Sequence, residues 1–197
     1  REDMKNLQVD VTSLPAKIII PFLGEIDFEE FETEQKNRLL NWNFRLESSS
    51  IEAAIYVEWE NEIKRMAHKQ FVPEIAKPYL TTLQLKKIID WIENPKETYF
   101  GSISSRDAFL KMTFEEGVSN LKKRLGPNTL EWRYGQTKFK HSFMEHALGG
   151  IGTDAVSSKL NLGPLPRGGN AYTPGSTGEN DRQSSGASFR MIVNTGD

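Results

Sequence analysis

A helix is predicted for residues 49–66, which read SSIEAAIYVEWENEIKRM. Ser49 and Glu52 have the spacing of a capping box, in which a hydroxyl and a carboxylate satisfy the first free N–H groups of a helix. The apolar residues recur at the spacing of one helix face, and they are Ile51, Ala54, Ile55, Trp59, Ile63 and Met66. Because a one-sided apolar face has to be covered, the stretch predicts an amphipathic helix within a packed helical body.

Further helices are predicted by the same signs. Thr81 and Gln84 repeat the capping spacing before an apolar stripe over residues 85–92, which Pro95 closes. A third helix is predicted over 110–125, where Gly126 and Pro127 stop it. Two more helical ranges are predicted over 29–42 and over 3–23, the second with breaks at Pro15 and Pro21. The first two thirds of the chain are therefore expected to be mostly helical.

The end of the chain has a different composition, because ten of its 15 glycines lie after residue 148. We predict a helical region over residues 1–148 and a glycine-rich loop and strand region over 149–197. Apolar and polar residues alternate over 187–193, which predicts a strand, and shorter strand candidates are 138–143 and 170–173. A lone strand is not stable, so we expect it to join a sheet whose other members lie outside the chain. The predicted fold class is α+β, with few strands near the C-terminus.

Composition excludes several classes of protein. The 25 Lys and Arg against 27 Asp and Glu give a net charge of −2, which argues against a dedicated nucleic-acid binder. No apolar run is long enough to span a membrane. The absence of cysteine removes disulfides, thiol catalysis and cysteine-ligated zinc. Because the chain begins with Arg1 rather than methionine, we expect a processed or excised piece of a larger protein.

Histidines and carboxylates do not form a convincing metal site. His141 and His146 are five residues apart, which misses the spacing that places two imidazoles on one helix face, and His68 is remote from them in the sequence. We interpret all three as surface or hydrogen-bonding residues. The acidic stretch over 25–34 is interpreted as a solvated helix start, since carboxylates favour the positive end of the helix dipole.

Glycine runs, serines and tryptophans are interpreted as structural as well. The runs at 149–152 and 167–170 do not clearly join a strand to a helix, as a phosphate-binding loop would, and are interpreted as turns. The serines at 48–50 and 184–185 lack the context of a nucleophile elbow. Trp42, Trp59, Trp91 and Trp132 lie on or beside apolar stripes and are expected in the core.

Several stretches nevertheless resemble one family when they are read in order. They are 39–43 (LLNWN), 48–59 (SSSIEAAIYVEW), 130–135 (LEWRYG) followed by His141 and Phe143, 167–173 (RGGNAYT) and 185–193 (SGASFRMIV). The opening residues, with Asp3, Gln8 and Asp10, fit the helix that precedes them. Together these stretches resemble the penicillin acylase (penicillin amidase) family of N-terminal-nucleophile hydrolases along essentially the whole chain.

The resemblance implies that the chemistry lies outside this sequence. The family's nucleophile is a serine released by self-cleavage as the first residue of the large chain, with its own α-amine as base. Arg1 has no hydroxyl, and the oxyanion-hole asparagine, as well as the calcium ligands of some members, precede the stretch that residues 3–21 resemble. No catalytic, cofactor-binding or metal-binding residue of the family is therefore expected in this chain. The resemblance implies calcium only for the whole parent enzyme, as in some members of the family.

What the resemblance implies is a non-catalytic portion of the large chain, folded as part of a four-layer αββα enzyme. The parent would hydrolyse an acyl-amide bond, such as a β-lactam side chain or an acyl-homoserine lactone. Expected partners are the remainder of that enzyme, meaning its small chain and the rest of its large chain, in the periplasm or secreted. Two alternatives stay open: a stand-alone helical interaction module without enzymatic activity, and a family member that has lost activity.

Overall fold

A computed structural model of the chain describes residues 2–151, 153–174, 181–184 and 191–193. The α-helices of the described residues are α1 (Glu2–Leu7), α2 (Leu14–Ile19), α3 (Glu30–Leu40), α4 (Ile51–Phe71), α5 (Leu85–Glu93), α6 (Ile103–Leu125) and α7 (Asp154–Leu160). The strands are β1 (His141–Met144), β2 (Leu162–Pro166) and β3 (Arg182–Gln183). Short 3-10 helices occupy Ile20–Leu23, Glu74–Ala76, Pro95–Glu97 and Thr129–Glu131. The predicted α+β class is confirmed.

The chain forms two compact units. The helical unit contains Leu14–Phe44 and Ile51–Trp132, and the sheet unit contains Arg1–Ser13, Arg45–Ser50 and Arg133–Asp197. Each unit is assembled from stretches that are separate in the sequence. The predicted regions, in contrast, were divided by amino-acid composition along the chain. The division of the sequence at residue 148 stays a prediction.

The core of the helical unit is the packing of α4 against α6. Trp59 of α4 is fully buried, its indole N–H donates to the Thr113 hydroxyl at 3.1 Å, and its ring meets the Phe114 ring edge-on at 5.5 Å. A side chain at Gly117 would lie 3.1 Å from the Trp59 Cα, so the glycine lets the two helices approach closely. The prediction that all four tryptophans are buried is confirmed, with none more than 7% exposed.

The helix ends follow local rules in some places and not in others. Gly126 ends α6 in a left-handed conformation with φ 96°, as its sequence position predicts, and the Ser102 side chain caps the N-terminus of this helix by accepting from the Ser105 N–H. The predicted cap at Thr81 is wrong. Gln84 is the N-cap of α5 and makes no side-chain capping bond, and the helix buries Leu85, Ile88 and Ile92.

A mixed three-stranded sheet organises the sheet unit. Its order is β2-β1-β3, with β1 antiparallel to β2 and parallel to β3. The predicted strand at 138–143 corresponds to β1, shifted to begin at His141. β2 was not predicted, because Pro164 and Pro166 are typical of non-strand sequence and are tolerated here only because β2 lies at the sheet edge.

Two predicted strands have different outcomes. Residues 170–173 form a turn rather than a strand, because the Asn170 side-chain oxygen accepts from the Tyr172 N–H and the Thr173 N–H donates to the Asn170 carbonyl. Most of the strand predicted over 187–193 lies outside the described residues. Its last three residues, 191–193, are not in a strand, and Met191 and Val193 are exposed.

The α4–α6 contact includes a titratable carboxyl. Glu58 of α4 pairs with Arg124 of α6 at 3.2 Å, and its side chain is only 12% exposed. Burial raises the pKa of Glu58 above its ordinary value near 4.5, an effect that the Arg124 guanidinium only partly offsets. The folded state therefore holds the Glu58 proton more tightly than the unfolded state does. Stability from this group is greatest at low pH and falls as the pH rises from about the ordinary carboxyl value through the raised one.

We therefore expect Glu58→Gln, which mimics the protonated carboxyl, to gain stability relative to the parent chain as the pH rises. The measurement is the free energy of unfolding in urea at pH 4 and pH 7 for both proteins. Glu97→Gln is the matched control, because it makes the same change of side chain at an exposed position outside the α4–α6 contact. The prediction would be contradicted if the free energy of unfolding of Glu58→Gln, relative to that of the parent, fell between pH 4 and pH 7.

Candidate functional site

Segments that carry the resemblance meet in the sheet unit. The Tyr134 N–H donates to the Ser50 carbonyl at 3.0 Å, the Gly135 N–H to the Ser48 carbonyl at 2.7 Å, and the Gly169 N–H to the Leu46 carbonyl at 2.8 Å. We call residues 46–50, 133–141 and 167–173 the motif junction. It ties three distant parts of the sequence together through backbone groups.

Two glycines make this approach possible. A Cβ atom built on Gly135 would lie 2.4 Å from the Ser48 Cβ and 2.9 Å from the Ser48 carbonyl oxygen. A Cβ atom on Gly168 would lie 2.4 Å from the Leu46 carbonyl oxygen. Real Cβ atoms do not come this close to other heavy atoms, so only glycine fits at both positions.

The Tyr134 side chain fills the centre of the motif junction. It is fully buried, its hydroxyl donates to the Gly169 carbonyl at 2.8 Å, and its ring meets the Phe139 ring edge-on at 5.3 Å. The Lys140 N–H donates to the Tyr134 carbonyl at 3.0 Å. Both the ring and the hydroxyl of this tyrosine are therefore used inside the fold.

Buried cations line the same junction. Lys140 is 1% exposed and Arg167 is 8% exposed. The Arg167 guanidinium contacts the Gln183 side-chain oxygen, and burial lowers the pKa of Arg167, while Tyr134 acts in the opposite direction. Because an arginine stays charged at any physiological pH, this group contributes a fixed positive charge to the interior of the unit.

An ion network flanks the junction. The Thr12 hydroxyl donates to the Asp10 carboxylate at 2.8 Å and is the main cause that lowers the pKa of Asp10. The Arg45 guanidinium donates to Glu47 at 2.8 Å and to Asp10 at 3.1 Å, and these carboxylates raise the pKa of Arg45. These ion pairs join Arg45 to Asp10, near the start of the chain. Because their side chains are half-exposed, each pair contributes little to the free energy of folding.

The histidines occupy separate places. The His68 Nε2 lies 2.6 Å from the Leu80 carbonyl in the helical unit, which fits the hydrogen-bonding role predicted for it. In the sheet unit, the His141 Nδ1 lies 3.2 Å from the Phe139 carbonyl. The backbone N–H of His146 donates to the Asn161 side-chain oxygen at 2.9 Å. Within the described ranges, no three His, Asp or Glu side chains are grouped so that they could hold a metal ion.

The acidic stretch over 25–34 lies at the exposed start of α3, as predicted. The Lys36 ammonium donates to the Ile26 carbonyl at 2.9 Å, and the Lys111 ammonium donates to the Asp27 carbonyl at 2.7 Å. Both ammonium groups lie over the Phe28 ring, at 5.6 and 5.7 Å from its centre. Lysines thus hold the backbone of this stretch in place, and the interaction is a structural one.

The first glycine run has a context that the sequence did not reveal. β1 precedes residues 149–152 and α7 follows them, so the run does join a strand to a helix. The helix begins with Asp154, which puts a negative charge in the first turn, where an anion would otherwise bind, and α7 has no buried residue. The order of elements is that of a phosphate loop, but the charge at the helix start is wrong for one.

Comparison with known proteins decides the family. The penicillin amidase family model matches residues 1–197. The chain belongs to the penicillin amidase family. A search of curated proteins found no match. Family membership gives the chain the context of a penicillin-acylase-like hydrolase and implies an enzyme of more than one chain. Across the part of the sequence that the structure describes, the helices all fall short of the length and hydropathy needed to cross a membrane.

In this member of the penicillin amidase family, the motif junction brings together stretches of sequence on which the resemblance to the family rests. Sequence reasoning placed Tyr134 and Arg167 in the stretches that resemble the family and Lys140 in a strand candidate, but it gave none of these side chains a buried role. The only signal for Tyr134 is its place between Trp132 and Gly135 in a family stretch. Nothing in the local pattern predicts that Lys140 is buried, because a lone lysine is ordinarily a surface residue.

Proposed function

We propose that this chain is a non-catalytic framework portion of a penicillin-amidase-like hydrolase. The enzyme would cleave the acyl-amide bond of a small substrate, such as a β-lactam side chain or an acyl-homoserine lactone. The acyl group passes to a serine oxygen and then to water, while the amine leaves with a proton from the base. The attacking serine and the groups that stabilise the oxyanion are assigned to other parts of the enzyme, as the resemblance implies.

One observation carries the framework role: the motif junction is built from backbone hydrogen bonds and buried side chains. Ser48 and Ser50 take part through their carbonyls, and the Tyr134 hydroxyl is bound to the Gly169 carbonyl. Groups that act on a substrate need access to it, whereas Tyr134, Lys140 and Asn170 are buried. This arrangement supports a role in holding the fold.

Partners, metal and location belong to the same proposal. We assign the remainder of the enzyme, its small chain and the rest of its large chain, as the partner of this chain, and a periplasmic or secreted location. The resemblance implies calcium in some members. The described residues do not fit it, since they contain no group of three or more carboxylate or imidazole side chains placed around one point. Calcium is therefore assigned to no residue here.

A second candidate function is a stand-alone helical interaction module. The observation that favours it is the self-contained core of the helical unit, where Trp59, Phe114 and Leu121 are all buried. A unit with its own core could fold and bind a partner without the rest of an enzyme. The two candidates differ in whether the native protein is associated with an amide-hydrolysing activity.

The test compares the purified chain with the native enzyme on a chromogenic phenylacetyl amide. We expect hydrolysis by the native enzyme and release no faster than the blank from the chain alone. Cooperative unfolding of the chain, followed by circular dichroism, is the control that it is folded. Turnover by the chain alone would contradict the framework role, and a native protein that consists of this chain without hydrolase activity would favour the interaction module.

A further inference from the structure

We draw no further inference here: the strongest candidate, the exposed apolar side chains that β1, α7 and β2 carry in the sheet unit, with Met144, Val156 and Leu162 among them, carries nothing because nothing in the structure shows what covers them.

Discussion

Trp59→Ala is expected to destabilise the helical unit by about 3–5 kcal/mol, the range for truncation of a fully buried tryptophan. The substitution removes the ring that meets Phe114 edge-on, and it opens a cavity where Gly117 brings α6 close to the α4 backbone. It also leaves the Thr113 hydroxyl without the indole N–H that donates to it. The measurement is the free energy of unfolding in urea, followed by the fluorescence of the other tryptophans, which all lie in the helical unit.

Two variants separate the parts of this effect. Thr113→Val removes the acceptor of the buried indole N–H while it keeps the volume, so it should cost about 1–3 kcal/mol. Leu130→Ala is the control at an exposed position and should change the free energy of unfolding by no more than about 0.5 kcal/mol. If Trp59→Ala costs no more than Leu130→Ala does, the α4–α6 contact is not the core of the unit.

The helical unit could be predicted from the sequence because its signals are local. The stripe over 51–66 lies within α4, which runs from Ile51 to Phe71, and Gly126 ends α6 as predicted. Helix periodicity is set by residues three and four apart, so a short window contains the whole signal. The start of α6 was predicted too late, because Ile103, its first residue, is followed by four polar residues (104–107) that carry no apolar stripe.

The sheet unit could not be predicted in the same way. β2 is an edge strand with two prolines, and its pairing with β1 depends on residues about twenty positions away. The motif junction depends on still longer separations, since Ser48 bonds to Gly135 and Leu46 bonds to Gly169. A resemblance to a family marks these residues as a set, but the hydrogen bonds that join their backbones are visible only in the folded structure.

Gly135→Ala is the second substitution with a large expected effect, about 3 kcal/mol of stability lost from the sheet unit, at the upper end for an overpacked position. The new methyl group would lie 2.4 Å from the Ser48 Cβ and 2.8 Å from the Ser48 Cα, so the two backbone segments have to separate. Separation lengthens the hydrogen bond from the Gly135 N–H to the Ser48 carbonyl, which is now 2.7 Å. Faster hydrogen exchange of the Gly135 and Tyr134 amide groups is the measurement.

Gly150→Ala is the matched control, because it adds the same methyl group to a glycine of the same unit with no atom within 4 Å. It should leave exchange at the motif junction unchanged and raise stability by up to about 1 kcal/mol, since alanine restricts the unfolded chain. If Gly135→Ala exchanged as slowly as Gly150→Ala, the backbone approach at Ser48 would not be what holds the family stretches together. The framework role would then lose the observation that carries it, because the family residues would have to be explained by something other than packing.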